Sequence, residues 1–230
     1  MAESRTYGAM KSLVHSLTLT VLALAGFAVV LASPATAQNP APIRIVAFGD
    51  SLTAGYGLPA QDAFPARLER ALKAKGHNVA IENAGVSGDT ASGGLSRLDW
   101  SIQDGTDAVI VELGANDMLR GVEPKVTRQA LDDILAKLKA RNIPVLLAGM
   151  RGAPNLGSDY VRDFEAIFPD LAQKHDVVFY PFFLDGVAAQ SKLALRDGMH
   201  PNADGVDTIV KGILPKAEEL VARVKKRAPG

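Results

Sequence analysis

The chain contains no cysteine. That absence excludes disulfides and thiolate metal centres, and it excludes a lipoprotein anchor, which needs a cysteine after the leader. Charge of one sign is also missing. Lys and Arg number 25 and Asp and Glu number 25, with no basic stripe, so nucleic acid is not an expected partner. Internal repeats, low-complexity tracts and a linker between domains are absent as well, and one domain is expected.

Long apolar runs are scarce, with a single instance from Leu13 to Leu31. Lys11 precedes it and Ala35-Thr36-Ala37 follows, a small-x-small cleavage signal. Met10 is an alternative start, because Met10-Lys11 makes a compact basic lead-in. A retained membrane anchor is the rival reading, since the run approaches the ~20 residues that span a bilayer. Ser12, His15, Ser16, Thr18 and Thr20 dilute its first half, which favours removal after Ala37. The expected organisation is a cleaved signal peptide over 1–37 and one domain over 38–230. Export to the periplasm or beyond follows, and the mature chain has about 190 of the 230 residues, enough for a sizeable core.

Within that domain five short runs rich in Val, Ile, Leu and Phe recur: Ile43–Phe48, Val79–Glu82, Ala108–Leu113, Val145–Gly149 and Val177–Tyr180. Near-continuous apolar runs of this length read as parallel strands buried on both faces. Amphipathic segments separate them at Ala63–Lys75, Thr90–Leu98, Lys125–Arg141 and Asp159–Lys174, and a last one covers Ala203–Lys226. In the third, Val126, Ala130, Ile134, Leu135 and Leu138 mark one helical face. Gly76 and Pro144 mark plausible stops. The alternation predicts an α/β fold, a doubly wound three-layer α/β/α sandwich with right-handed crossovers. Functional groups in such sheets gather beyond the carboxyl ends of the strands.

Four polar clusters occupy those positions. Gly49-Asp50-Ser51-Leu52 follows the first strand, and Ser51 there is a candidate nucleophile; Asp50 or Ser51 could equally be a helix N-cap. The motif is not Gly-x-Ser-x-Gly, so an α/β-hydrolase elbow is not implied. Asn83-Ala84-Gly85-Val86-Ser87-Gly88-Asp89-Thr90 follows the second strand. Gly88 can present its N–H to an oxyanion unobstructed, while Asp89 or Thr90 caps the next helix. In Leu113-Gly114-Ala115-Asn116-Asp117, Asn116 offers an uncharged N–H donor and Asp117 suits a buttress. In Asp197-Gly198-Met199-His200-Pro201-Asn202, His200 is a candidate general base and Asp197 its orienting partner. A serine hydroxyl is a poor nucleophile without such a base, so Ser51, His200 and Asp197 together point to nucleophilic acyl transfer. His77 and His175 fall in charged turns and read as solvated.

The motifs FGDSLTAGYG, NAGVSGDT, LGANDMLRG and DGMHPN, in this order, resemble the four blocks of the SGNH hydrolase (GDSL esterase/lipase) family. The likeness runs through essentially the whole mature chain and is closest to the small periplasmic thioesterase–lysophospholipase–arylesterase branch. It implies a five-stranded flavodoxin-like sheet of order 2-1-3-4-5. It also implies Ser51 as nucleophile, His200 as base, Asp197 as its partner, and an oxyanion hole of Ser51 N–H, Gly88 N–H and the Asn116 side chain. Ala115 departs from the pattern, where relatives often carry glycine. No cofactor or metal is implied, and the expected partner is a small acyl ester or thioester, with transient contact with membrane lipid.

The expected chemistry is ester and thioester hydrolysis through an acyl-enzyme on Ser51. Met118, Leu119, Leu156, Phe182, Phe183, Leu184, Leu193 and Leu195 could line an acyl groove, or could pack the core beneath the loops. Three alternatives stay open: deacetylation of carbohydrate, a metal-dependent phosphoesterase using Asp50, Asp89, Asn116 and His200, and a non-catalytic lipid- or glycan-binding module.

Overall fold

A computed structural model describes residues 41–227. The expected signal peptide, its cleavage after Ala37 and the choice of start lie outside the described residues.

The strands are β1 (Ile43–Gly49), β2 (Val79–Gly85), β3 (Ala108–Glu112), β4 (Val145–Ala148) and β5 (Val178–Tyr180). All pairings are parallel and the order is β2-β1-β3-β4-β5, as the resemblance implied. Helices fill the connections: α1 (Ser51–Ala54), α2 (Phe64–Ala74), α3 (Ala91–Ser101), α4 (Ala115–Leu119), α5 (Pro124–Ala140), α6 (Ser158–Glu165), α7 (Ile167–His175) and α8 (Ala203–Arg227). Helices α2 and α8 pack together, and α5 packs with α3 and α7 in a second group, with the sheet between the layers. The apolar runs are strands because both faces are covered: every residue of β3 and β4 is buried. Phe48, Phe64, Leu68, Ile110, Phe164 and Phe168 lie at the centre of this core.

Three local expectations differ. The segment Asp159–Lys174 is two helices broken at Ala166, not one. Pro169 is the reason: it has no N–H to give the Glu165 carbonyl, so the first helix ends one turn ahead of it. In α5, Val126 is exposed, and the buried stripe runs through Thr127, Ala130, Leu131, Ile134, Leu135 and Leu138. The stripe starts at Thr127 because its hydroxyl is drawn inward to donate to Asp117 Oδ1 at 3.0 Å. The third difference concerns His175, which is buried, with Nε2 2.6 Å from Asp132 Oδ1, and not solvated. His77 is also partly covered, 3.2 Å from Glu218.

Candidate active site

Because β1 sends its chain to β2 on one side and lies beside β3 on the other, the ends of β1 and β3 form a switch point. Ser51 stands there as the first residue of α1, with Asp50 as N-cap accepting from Leu52 N–H at 2.9 Å. Both sequence readings of this cluster therefore hold at once. The loop before α8 reaches the same place. His200 Nε2 is 2.9 Å from Ser51 Oγ, and His200 Nδ1 is 2.7 Å from Asp197 Oδ2.

Local backbone geometry sets up the Asp197–His200 pair. Asp197 Oδ1 accepts the N–H groups of Met199 at 2.9 Å and His200 at 3.0 Å, a turn that the left-handed Gly198 (φ 72°) closes. Those two N–H donors, joined by the imidazole, hold the Asp197 carboxyl down at about 2. It stays an anion wherever the imidazole must gather a proton. The Tyr56 ring lies over His200 with centroids 4.5 Å apart, covering one face of the imidazole.

The second and third clusters meet the serine from the ends of β2 and β3. Gly88 has φ +85°, a conformation that strains any side chain, so glycine is what lets its peptide turn towards the site. Its carbonyl accepts from Arg120 at 2.8 Å, which ties this loop to the end of α4. Asn116 Nδ2 donates to Asp50 Oδ2 at 3.0 Å, leaving its second amide hydrogen for a ligand. Asp117 is fully buried and accepts from Ala91 N–H at 2.8 Å as well as from Thr127, so it buttresses the loop as expected. Thr90 caps α3 through Gly93 N–H at 3.1 Å, while Asp89 pairs with Arg97. The Ala115 methyl is accommodated within α4, half-buried against the core.

A groove of about 790 Å³ opens beside Ser51. Met118, Leu119, Phe182 and Leu184 line it as anticipated. Phe183 instead packs edge-on against Phe64 in the core, and Leu156, Leu193 and Leu195 are not among the lining residues. Tyr56, Met150 and Met199 line the groove without having been singled out in the sequence. The set Asp50, Asp89, Asn116 and His200 does not form a ligand cage. Asp89 is taken by Arg97, and no cluster of three or more metal-ligating side chains occurs among the described residues.

Residues 47–207 match the GDSL-like lipase/acylhydrolase family. The chain belongs to that family. It is 38% identical over 187 residues to the thioesterase 1/protease 1/lysophospholipase L1 of Escherichia coli K12, covering 81% of this chain and 88% of that one. The arylesterase of Vibrio mimicus is 36% identical over 187 residues, 81% of this chain and 92% of its own. Among solved structures, the SGNH-hydrolase family esterase AlinE4 superposes with a TM-score of 0.66 at 46% identity, covering 82% of this chain and 98% of that one. GDSL-family membership makes the protein a hydrolase of the carboxylic ester and thioester class, of the branch that the sequence motifs indicated.

Three groups at the GDSL site escaped the sequence reading. Arg97 on α3 is buried and donates to the carbonyls of Gly49 at 2.8 Å and Ala84 at 2.9 Å, the ends of β1 and β2. Arg120 holds Gly88. Glu112 is fully buried beneath Asp50, with Thr53 Oγ1 donating to its Oε2 at 2.8 Å. The available signal for Glu112 was a single acid inside the otherwise apolar run Ala108–Leu113.

Proposed function

We propose that this protein is an exported serine esterase that cleaves medium- or long-chain acyl esters and thioesters, with Ser51 as nucleophile. The observation that carries the reading is the hydrogen-bonded chain from Ser51 Oγ through His200 to Asp197, opening onto an apolar groove. His200 Nε2 takes the Ser51 proton as Oγ attacks the acyl carbon, and Asp197 stabilises the resulting imidazolium. The carbonyl oxygen becomes an oxyanion that Ser51 N–H, Gly88 N–H and the free Asn116 amide hydrogen receive. Collapse expels the alcohol or thiol, which takes the proton from His200. Water then attacks the acyl-serine with His200 again as base, releasing the acid and restoring Ser51.

The acyl preference is supported by Met118, Phe182, Leu184 and Met150 along the groove. Contact with a lipid surface is supported by the rim, where Tyr56, Leu119 and Met199 are more than half exposed at the groove mouth. The names of the relatives, which include a lysophospholipase and an arylesterase, support the same substrate range. Export rests on the apolar run 13–31 and the Ala35-Thr36-Ala37 signal.

The test is hydrolysis of p-nitrophenyl esters from acetate to palmitate by residues 38–230, with and without chelator, beside Ser51→Ala. Expected are a maximum at medium or long chains, indifference to chelator and loss of turnover in Ser51→Ala. A maximum at acetate would redirect the reading to deacetylation, and activity surviving in Ser51→Ala would overturn it.

A further inference from the structure

The ends of β1 and β3 bring two carboxyls together under the nucleophile. Glu112 is the register partner of Gly49, next to Asp50 in the chain, and both carboxyls are without solvent exposure. The close approach depends on Gly49, where a Cβ would stand 2.2 Å from Thr53 Oγ1 and 2.7 Å from Glu112 Oε2. Two like charges side by side in a buried site disfavour each other's ionisation, so one of the two carboxyls takes up a proton.

The partners decide which one. Asp50 has an N–H donor on each oxygen, Leu52 N–H on Oδ1 and Asn116 Nδ2 on Oδ2. Such a group is satisfied as the anion. Glu112 accepts from Thr53 on Oε2, while its Oε1 is buried and meets no N–H or hydroxyl donor. An orphaned buried carboxylate oxygen is costly, and a protonated Oε1 that donates to Asp50 resolves it. We propose that Glu112, as the neutral acid, is a positioning residue for the oxyanion hole: it donates to the Asp50 carboxylate, and that carboxylate aims the Asn116 amide at the acyl oxygen.

This builds on the role given to Asn116 above. Electrostatics runs the same way. Burial first, then the adjacent Asp50 charge, push the Glu112 carboxyl well above the ordinary range. Asp50, raised by burial to about 6, is drawn back by Leu52, Asn116 and the His200 charge. The other charged groups packed around the pair are committed elsewhere. Arg97 on α3 serves Gly49, Ala84 and Asp89, and Asp117 on α4 serves Ala91 and Thr127. Among the described residues no cation therefore pairs with either carboxyl, and one proton shared between the two acids neutralises them instead.

The arrangement gives Asn116 an acceptor stronger than a neutral carbonyl, because a charge-assisted hydrogen bond is shorter and stiffer. One amide hydrogen is locked on Asp50 and the other is thereby fixed in direction. Without the Glu112 donor, the Asp50 anion loses a partner in a buried site and is free to shift towards other donors, carrying Asn116 with it.

The test pairs two variants with infrared spectroscopy of the unreacted protein. Carbon-13 labelling of glutamate should reveal the carbonyl stretch of a protonated carboxyl at about neutral pH, absent from Glu112→Gln. Glu112→Leu should lose on the order of 10- to 100-fold in kcat with KM little changed, the scale of a displaced catalytic group. Glu112→Gln, which keeps a neutral donor of the same shape, should recover most of that loss. Absence of the band in the wild type, or Glu112→Gln as slow as Glu112→Leu, would overturn the proposal. Should Glu112→Leu fail to fold, the band and the rate of Glu112→Gln decide alone. Full turnover in Asn116→Ala, with the band present, would instead overturn the role of Asn116 and leave the shared proton standing.

Discussion

At the scale of single residues, the site is built from groups with opposite protonation demands. Asp197 is exposed and held ionised by two N–H donors, so the imidazole always has a charge to lean on. Asp197→Asn keeps the shape but favours the wrong ring orientation, and kcat should fall by roughly 10⁴-fold. Near-native steady-state turnover would remove Asp197 from the triad. Asn116→Ala deletes the proposed oxyanion donor and should cost about 3 kcal/mol of transition-state stabilisation, read as kcat at unchanged fold. Asp50 behaves in the reverse sense. Its carboxyl ionises at 3.8 in an ordinary setting and at about 6 in the fold. Between these values the folded chain binds more protons than the unfolded one, so stability falls as pH rises, and the loss is complete above about 6. Asp50→Asn escapes that penalty while losing activity. Thermal melts across this window should show the Tm difference moving in favour of the variant as pH increases; parallel curves for the two proteins would contradict the assignment.

Between elements, α3 fastens the carboxyl ends of β1 and β2. The Arg97 guanidinium lies 4.1 Å from the Phe48 ring and donates to Gly49 O, Ala84 O, Asp89 and Ser101. Arg97→Ala would leave two carbonyls and a carboxylate unpaired around a buried void, which costs about 3–5 kcal/mol. In a domain of this size that corresponds to a fall of roughly 10 °C in Tm, measurable by calorimetry. A change within a degree or two would mean that water replaces the guanidinium without penalty. Arg97 also shows why part of the site was hidden in the sequence. Strands such as Val109–Val111 declare themselves by unbroken apolar character, and Ser51, Asn116, Asp197 and His200 by turn motifs at strand ends. An arginine in an amphipathic helix looks the same whether it faces water or crosses beneath the helix to a strand end. Glu112 was masked by the run that contains it. The break at Ala166 was masked by a hydrophobic period that continues through Pro169. The order of the strands came from family resemblance, because apolar runs say that strands exist and not which ones pair.

For the whole molecule, the loops that carry the site gather at the carboxyl ends of the strands, and several of their large apolar side chains are exposed. Tyr56 follows β1, Val86 follows β2, Leu119 follows β3 and Met199 precedes α8, and all four are exposed. Exposed large apolar residues elsewhere among the described residues are only Trp100 and Val126. Tyr56, Leu119 and Met199 stand at the groove itself, and on the proposed function they would give a long acyl chain an apolar path from an aggregate to Ser51. Arg120 and Arg151 lie beside this path, the latter over Phe182 with 4.7 Å to the ring centroid, and their charge favours an anionic surface. Leu119→Ser and Met199→Ser remove apolar area from the rim without touching the triad. Their kcat/KM should fall several-fold further on micellar long-chain ester than on the same head group with a short, monomeric chain. Added salt should weaken wild-type activity on anionic mixed micelles more than on neutral ones, because exposed charges are screened over about 10 Å at 0.1 M. An equal loss on both substrate forms would place these residues in acyl binding alone, and the rim would then have no part in meeting the lipid surface.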